Sequence, residues 1–243
     1  MVKLSDILPK QAPHSNKTAM MLQRYAKIDP DDIPKRLNAS KNFLEFTRGN
    51  AIKSYIREGS EGEIYYLSDG NVIKITREKS EAEACSLLMK KEAHPNTLVI
   101  FDVCKFIFDT GNPLYDDKNC YVYLICEEPL KRDPKITAML QGAAGEVIDG
   151  VVEANEYLRQ DEVESKVYSV INDGNIDVTK EEEKLATDII SGFYFLQNNG
   201  IDWGDIHKGN VMKRGEDYVV IDYGGNSHVH VPGEVRTINE DIL

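Results

Sequence analysis

The chain has 243 residues, 41% hydrophobic and 29% charged, enough to bury a core as one domain or as two small lobes. Its formal net charge of -12 argues against a surface for nucleic acid or anionic membrane, and its apolar runs are too short to span a bilayer. Cys85, Cys104, Cys120 and Cys126 show neither C-x-x-C spacing nor a disulfide-dense pattern, so they read as reduced thiols in a cytoplasmic protein.

Residues 1–55 read as a helical accessory segment without chemistry. Ser15 or Asn16 caps a helix reaching about Ile28, Asp29-Pro30 and Ile33-Pro34 interrupt it, and Ser40 caps a short second helix ending near Gly49. The stretch REGSEGEIYYLSDGNVIKI follows. It predicts strands over 64–67 and 72–75, joined by the turn Ser68-Asp69-Gly70-Asn71. Gly59 and Gly62 precede the first strand, where glycines let backbone N–H groups approach phosphate oxygens. A helix is expected over 80–92 with Ala84, Leu87 and Leu88 inward; Ser80 and Glu83 have capping-box spacing at its start. Residues 98–108 and 120–126 read as strands joined by a polar loop.

From Asp133 the chain turns helical, with Asp133 as cap and Pro134 at the first helical position. Further helices are expected over 147–159 and 161–171. Thr179-x-x-Glu182 is a capping box opening a strong helix with Leu185, Ile189, Phe193 and Leu196 on one side and Gly200 at its end.

Residues 202–222 read DWGDIHKGNVMKRGEDYVVID and carry the chemistry. Val211-Met212 is an apolar start, Arg214-Gly215-Glu216-Asp217 a turn, and 218–221 an apolar, β-branched return. The resulting hairpin carries Asp222 back beside the loop of Asp205 and Asn210. Converging carboxylate and carboxamide oxygens are the hard donors that Mg²⁺ takes alongside phosphates and water, and the remaining carboxylate can accept a proton.

Asp205 and Asn210 in D-x-x-x-x-N, a short hairpin, then Asp222-Tyr223-Gly224 resemble the catalytic core of the protein-kinase-like superfamily. The resemblance spans residues 56–226 and is most specific at this hairpin. His207, two after Asp205, is similar to the aminoglycoside phosphotransferase branch, and the compact layout to small bacteriophage host-shutoff protein kinases. It implies an α+β, bilobal fold: a five-stranded small lobe with one helix over 56–130 and a minimal, mostly helical large lobe over 131–243. The large lobe is minimal because only about twenty residues follow Gly224.

The resemblance also implies phosphoryl transfer from Mg-ATP to a protein hydroxyl. Asp205 would take the acceptor's proton, and Asn210 and Asp222 would hold Mg²⁺. Lys74 would position the phosphates, oriented by Glu83 or by its competitor Glu81. Gly59, Ser60, Gly62 and Ile64 would form the phosphate loop, with Arg57 where the family has its first glycine. Lys208 or His207 would add positive charge, His207 alternatively pinning the loop. Glu127 would offer adenine a carbonyl, but Pro129, where the family offers an N–H, has none. Trp203 occupies a structural position of the motif.

The expected partners are ATP and a protein substrate, either the chain itself or bacterial host proteins, placing it in the host cytoplasm if phage-encoded. Two other readings stay open. A small-molecule kinase needs a larger helical lobe to wall its substrate. A catalytically silent nucleotide-binding protein is favoured by Arg57 and Pro129 but not by the presence of Lys74, Asp205, Asn210 and Asp222 together.

Overall fold

The computed structural model describes residues 23, 28–58, 62–110, 120–154, 158–204, 206–207, 209–223, 228–229 and 232–241. Among them the protein is mixed α+β. In chain order its elements are α1 (Ile33–Ala39), α2 (Lys41–Phe46), β1 (Ile52–Glu58), β2 (Gly62–Leu67), β3 (Val72–Thr76), α3 (Lys79–Leu88), β4 (Ile100–Ile107) and β5 (Tyr121–Glu127). They continue with α4 (Ile136–Leu140), α5 (Ala143–Glu153), α6 (Val163–Gly174), α7 (Lys180–Asn198), β6 (Ile201–Asp202), β7 (Val211–Arg214), β8 (Asp217–Val220), β9 (His228–Val229) and β10 (Arg236–Asn239). The helix expected ahead of Ile28 lies outside the described residues.

The chain divides into two compact units, neither a single stretch. The first comprises the described residues of Met1–Arg77, Cys104–Leu124 and Thr237–Leu243; the second those of Glu78–Val103 and Ile125–Arg236.

The first unit is built on a six-stranded sheet of order β1-β2-β3-β5-β4-β10. Five strands were expected. The sixth, β10, is mostly exposed, so no apolar alternation marks it in the sequence. Residues 52–55 of β1 were expected to belong to the accessory segment. Irregular pairing between Ile52 and Ser54 and between Tyr55 and Arg57 breaks the period of two by which a strand is read. Phe106, Phe108, Val122, Leu124 and Ile73 are fully buried, with Phe43 of α2 edge-on to Phe106 at 6.5 Å between ring centroids.

Pro34 does not interrupt α1 but sits in its first turn, where its missing N–H costs no helical bond. Ser40 caps α2 as expected, its Oγ accepting from the Phe43 N–H at 3.2 Å. The C-terminal residues tie this end down. Glu240 accepts from Arg36 Nε at 3.0 Å and from the Asp109 N–H at 2.8 Å, and Ser40 Oγ donates to Asp241 at 2.6 Å.

The second unit is helical around the β7–β8 hairpin. Thr179 and Glu182 form the expected capping box of α7, and Leu185, Ile189, Phe193 and Leu196 are all buried. Gly192 lets α7 lie close to the hairpin: a Cβ there would come within 2.7 Å of the Asn96 carbonyl and 2.9 Å of Val220. Asp133 does accept a bond, from the Lys135 N–H at 2.9 Å, but α4 starts only at Ile136. Likewise α3 starts at Lys79 and ends at Leu88, so Ser80 lies inside the helix and forms no capping box with Glu83.

The residues after Gly224 do more than the sequence suggests. β9 pairs with β6, and residues 232–235 lie on α3, with the Gly233 N–H donating to the Glu83 carbonyl at 3.2 Å and Ser86 Oγ to the Glu234 carbonyl at 2.6 Å. Only glycine fits at 233, since a Cβ would approach the Glu83 carbonyl and the Leu87 nitrogen to 2.5 Å.

Candidate functional site

The hairpin forms as its residue types dictate. Val211 pairs with Val220 and Arg214 with Asp217 around a two-residue turn, whose first residue, Gly215, takes a φ of 61°. The loop before it is held locally. The Gly209 N–H donates to His207 Nδ1 and the Asn210 N–H to the His207 carbonyl, each at 2.9 Å. A Cβ on Gly209 would meet the His207 ring at 2.6 Å, so glycine here makes room for the imidazole. His207 thus has a loop-pinning role visible in its own bonds.

Asn210 is buried, and its carbonyl accepts from the Ile221 N–H at 2.9 Å. That bond brings the backbones of Asn210 and Ile221 together, so Asp222 begins immediately beside Asn210. Asp222 has a φ of 62°, in the left-handed region that few residues other than glycine adopt. Its neighbours explain how the conformation is held. The Asp222 carbonyl accepts from Trp203 Nε1 at 3.2 Å, and Trp203 is 1% exposed. Tyr223 is wholly buried, its hydroxyl accepting from the Leu98 N–H at 2.8 Å and donating to the Val220 carbonyl at 3.0 Å. Burial pushes the Tyr223 phenol well above its ordinary range, so it stays neutral. Residues 221, 222 and 223 are therefore each fixed through the backbone or a buried ring, while Asp222 itself is exposed.

A second set of bonds holds the hairpin from its other side. Asn96 Nδ2 donates to the Tyr218 carbonyl at 3.0 Å, and the Val220 N–H donates to the Asn96 carbonyl at 2.9 Å. Arg214 donates from Nε to Glu128 at 2.8 Å and from Nη1 and Nη2 to the carbonyls of Pro95 and Thr97, each at 2.8 Å. Glu128 in turn accepts from the Val99 N–H at 2.8 Å. One guanidinium thus ties the hairpin to residues 95–99 and to the end of β5. His94 stacks on Phe195 at 4.4 Å between ring centroids, and burial, with Arg214 nearby, lowers its pKa to about 4.

Glu127 ends β5. The neighbouring Glu128 N–H donates to the Val99 carbonyl at 3.2 Å, so it is already committed and does not replace the N–H that Pro129 lacks. On α3, Glu83 pairs with Lys79 at 2.6 Å across one helical turn and is half-buried, whereas Glu81 is buried at 3% exposure.

The first unit holds the remaining candidates. Ile64 on β2 lies directly opposite Lys74 on β3, so the two share a face of the sheet. Both are 8% exposed. Gly62 pairs with Thr76, and a Cβ there would meet the Ile75 carbonyl at 2.5 Å. Its glycine is therefore already required by the neighbouring strand. Asp205, Lys208, Gly59 and Ser60 lie outside the described residues, as does Gly224.

Among the described residues no three His, Cys, Asp or Glu side chains are gathered as a metal would need if protein groups alone held it. The donor chemistry of Asn210 and Asp222 nevertheless fits Mg²⁺, which keeps several waters and takes one or two protein oxygens beside phosphate. The bonds from Trp203, Asn96 and Arg214 had no sequence signal, since Arg214 and Glu128 stand 86 positions apart and Asn96 and Tyr218 122. Among the described residues no helix is long and apolar enough to cross a membrane. Compared with known proteins, the chain matches no family model and no curated protein.

Proposed function

We propose that the protein is an ATP-dependent phosphotransferase, most similar in kind to small phage serine/threonine protein kinases, that moves the γ-phosphoryl group of Mg-ATP to a protein hydroxyl. The observation that carries this reading is Asp222. Asp222 holds a φ of 62°, a conformation Asp tolerates better than most non-glycine residues though still at a cost, and it is fixed on both sides yet exposed and next to Asn210. Strain held in place by surrounding bonds collects at functional sites, where it pre-organises a reacting group.

In this reading Asn210 and Asp222 would hold Mg²⁺, whose chemistry when bound would be to neutralise charge on the transferring phosphates. Asp205 orients the acceptor hydroxyl and takes its proton. Lys74 positions the phosphates. Glu83, which the resemblance makes the carboxylate that orients it, is half-buried and paired with Lys79, and its competitor Glu81 is buried. His207 serves the loop, leaving Lys208 as the local positive charge. The chain's net charge of -12 makes such built-in cations necessary for an anionic substrate.

A second reading, a nucleotide-binding protein without transfer activity, draws support from the adenine end. Pro129 has no N–H and that of Glu128 is committed to Val99. Calorimetry separates the two. Asp222→Asn should abolish Mg²⁺-dependent ATP binding with the fold intact. Unchanged Mg-ATP binding would remove Asp222 from the site and with it the basis of the proposal.

A further inference from the structure

We infer that the segment after β5 meets the nucleotide base with carbonyl oxygens alone, and so takes a purine bearing a 2-amino group, as guanine does, more tightly than adenine. The inference rests on the phosphotransferase reading and names the class of nucleotide for it.

A purine edge is recognised by matching its donors and acceptors, so the segment is counted peptide by peptide. The Glu128 N–H donates to the Val99 carbonyl at 3.2 Å. It is held there, because its carboxylate accepts from the Val99 N–H and from Arg214 Nε, each at 2.8 Å. A trans peptide sends its C=O and N–H in opposite directions, and among the described residues no peptide is cis. The Glu127 carbonyl therefore points away from Val99. Pro129 follows and has no N–H. It lies in neither helix nor turn, and the residue before a proline favours an extended backbone. Successive peptides of an extended chain face opposite ways. The carbonyl of the exposed Pro129 thus returns to the side of the Glu127 carbonyl, and the Leu130 N–H turns away. The Lys131 N–H is given to the Lys213 carbonyl at 3.0 Å. One side of the segment presents two acceptors, and the nitrogen between them carries no hydrogen.

Adenine brings a donor, its 6-amino group, and then an acceptor, N1. Only the donor finds a partner on such a side, because N1 meets the proline in place of an N–H. A 2-amino group adds a second donor at the far end of the same edge, within reach of the second carbonyl. Guanine brings N1–H and the 2-amino group, two neighbouring donors. Each unmatched polar group costs binding, so the count favours 2-amino purines.

The test measures binding of ATP, 2-amino-ATP, ITP and GTP to the full chain by calorimetry in excess Mg²⁺. Wild type is compared with Pro129→Ala, and thermal unfolding is the control for folding. ATP and 2-amino-ATP differ only by the 2-amino group, as do ITP and GTP. In wild type the 2-amino member of each pair should bind about three- to tenfold tighter, the size of one hydrogen bond. Pro129→Ala restores an N–H for adenine N1. It should tighten ATP about three- to tenfold and weaken GTP, whose N1–H then faces a donor. Equal affinities within either pair overturn the inference and leave the phosphotransferase reading in place. A folded Pro129→Ala with the wild-type ratio of ATP to GTP affinity does the same. If Pro129→Ala does not fold, the two wild-type pairs decide. Wild type that binds none of the four nucleotides overturns the phosphotransferase reading itself, and this inference falls with it.

Discussion

The candidate residues of the two units are held in different ways. In the first unit, Gly62, Ile64 and Lys74 owe their places to strand register alone: Ile64 faces Lys74 because β2 and β3 pair antiparallel in one alignment. In the second unit, Asn210 and Asp222 owe theirs to side chains from distant stretches. Trp203, Asn96, Arg214 and Tyr223 each bond a backbone group or carboxylate that the β7–β8 ladder leaves unpaired. Register is robust to single substitutions, because many ladder bonds share the work. A clamp of single bonds is not.

The contrast can be broken from either end. Lys74→Met should cut phosphoryl transfer about 100-fold or more, the scale for removing one preorganised charge, while leaving the sheet folded. A transfer assay beside a thermal melt checks both halves, and an active Lys74→Met would strip that strand of its role. At the other end, Arg214→Ala removes the partner of the half-buried Glu128 and the donors to Pro95 and Thr97. Denaturant unfolding should show a loss of about 2–3 kcal/mol. A loss under about 0.5 kcal/mol, the scale of a surface pair, would mean the hairpin needs no such clamp.

A pH effect sharpens the same region. His94 has a folded pKa lowered to about 4, against the ordinary 6.5. Between these values the unfolded chain binds more protons than the folded one, so stability rises with pH there. The contribution is complete above pH 6.5 and is lost as pH falls towards 4, amounting to about 2 kcal/mol after allowance for solvent screening. Replacing His94 with Phe should flatten that slope in melts taken across the window; an unchanged slope would assign it to other groups. Gly192→Ala should cost about 1–2 kcal/mol by pushing α7 off the hairpin. Smallest is Thr179→Ala, at about 1 kcal/mol for a lost helix cap, with no effect on the site.

These differences track what can be read in a sequence. The β2–β3 and β7–β8 hairpins, the Thr179 cap and the buried face of α7 were legible because each is a local pattern of period, turn and cap. β1 was not, because irregular pairing breaks its alternation, and β10 was not, because an exposed edge strand has no apolar face to display. The chain after Gly224 shows the same limit. Gly233 reads as a loop glycine, yet the contact with α3 that requires it joins residues 150 positions away. Asn210 and Asp222 stood out by their spacing in a motif, but the bonds that hold the backbone around them did not. The different burial of Glu81 and Glu83 was equally hidden, since two residues of one helix differ in burial only once the helix is packed.

The most direct test of a phosphotransferase compares wild type with Asp205→Ala. Both proteins are incubated with Mg-ATP, alone and with bacterial lysate, and phosphorylated serine and threonine residues are identified by mass spectrometry while ATP affinity is measured in parallel. Asp205 is the carboxylate not assigned to the metal, so its loss should lower transfer by orders of magnitude and leave ATP affinity nearly unchanged. Equal phosphorylation by both proteins would contradict Asp205 as the base, and no phosphorylated protein in either, with ATP still bound, would contradict transfer to a protein hydroxyl.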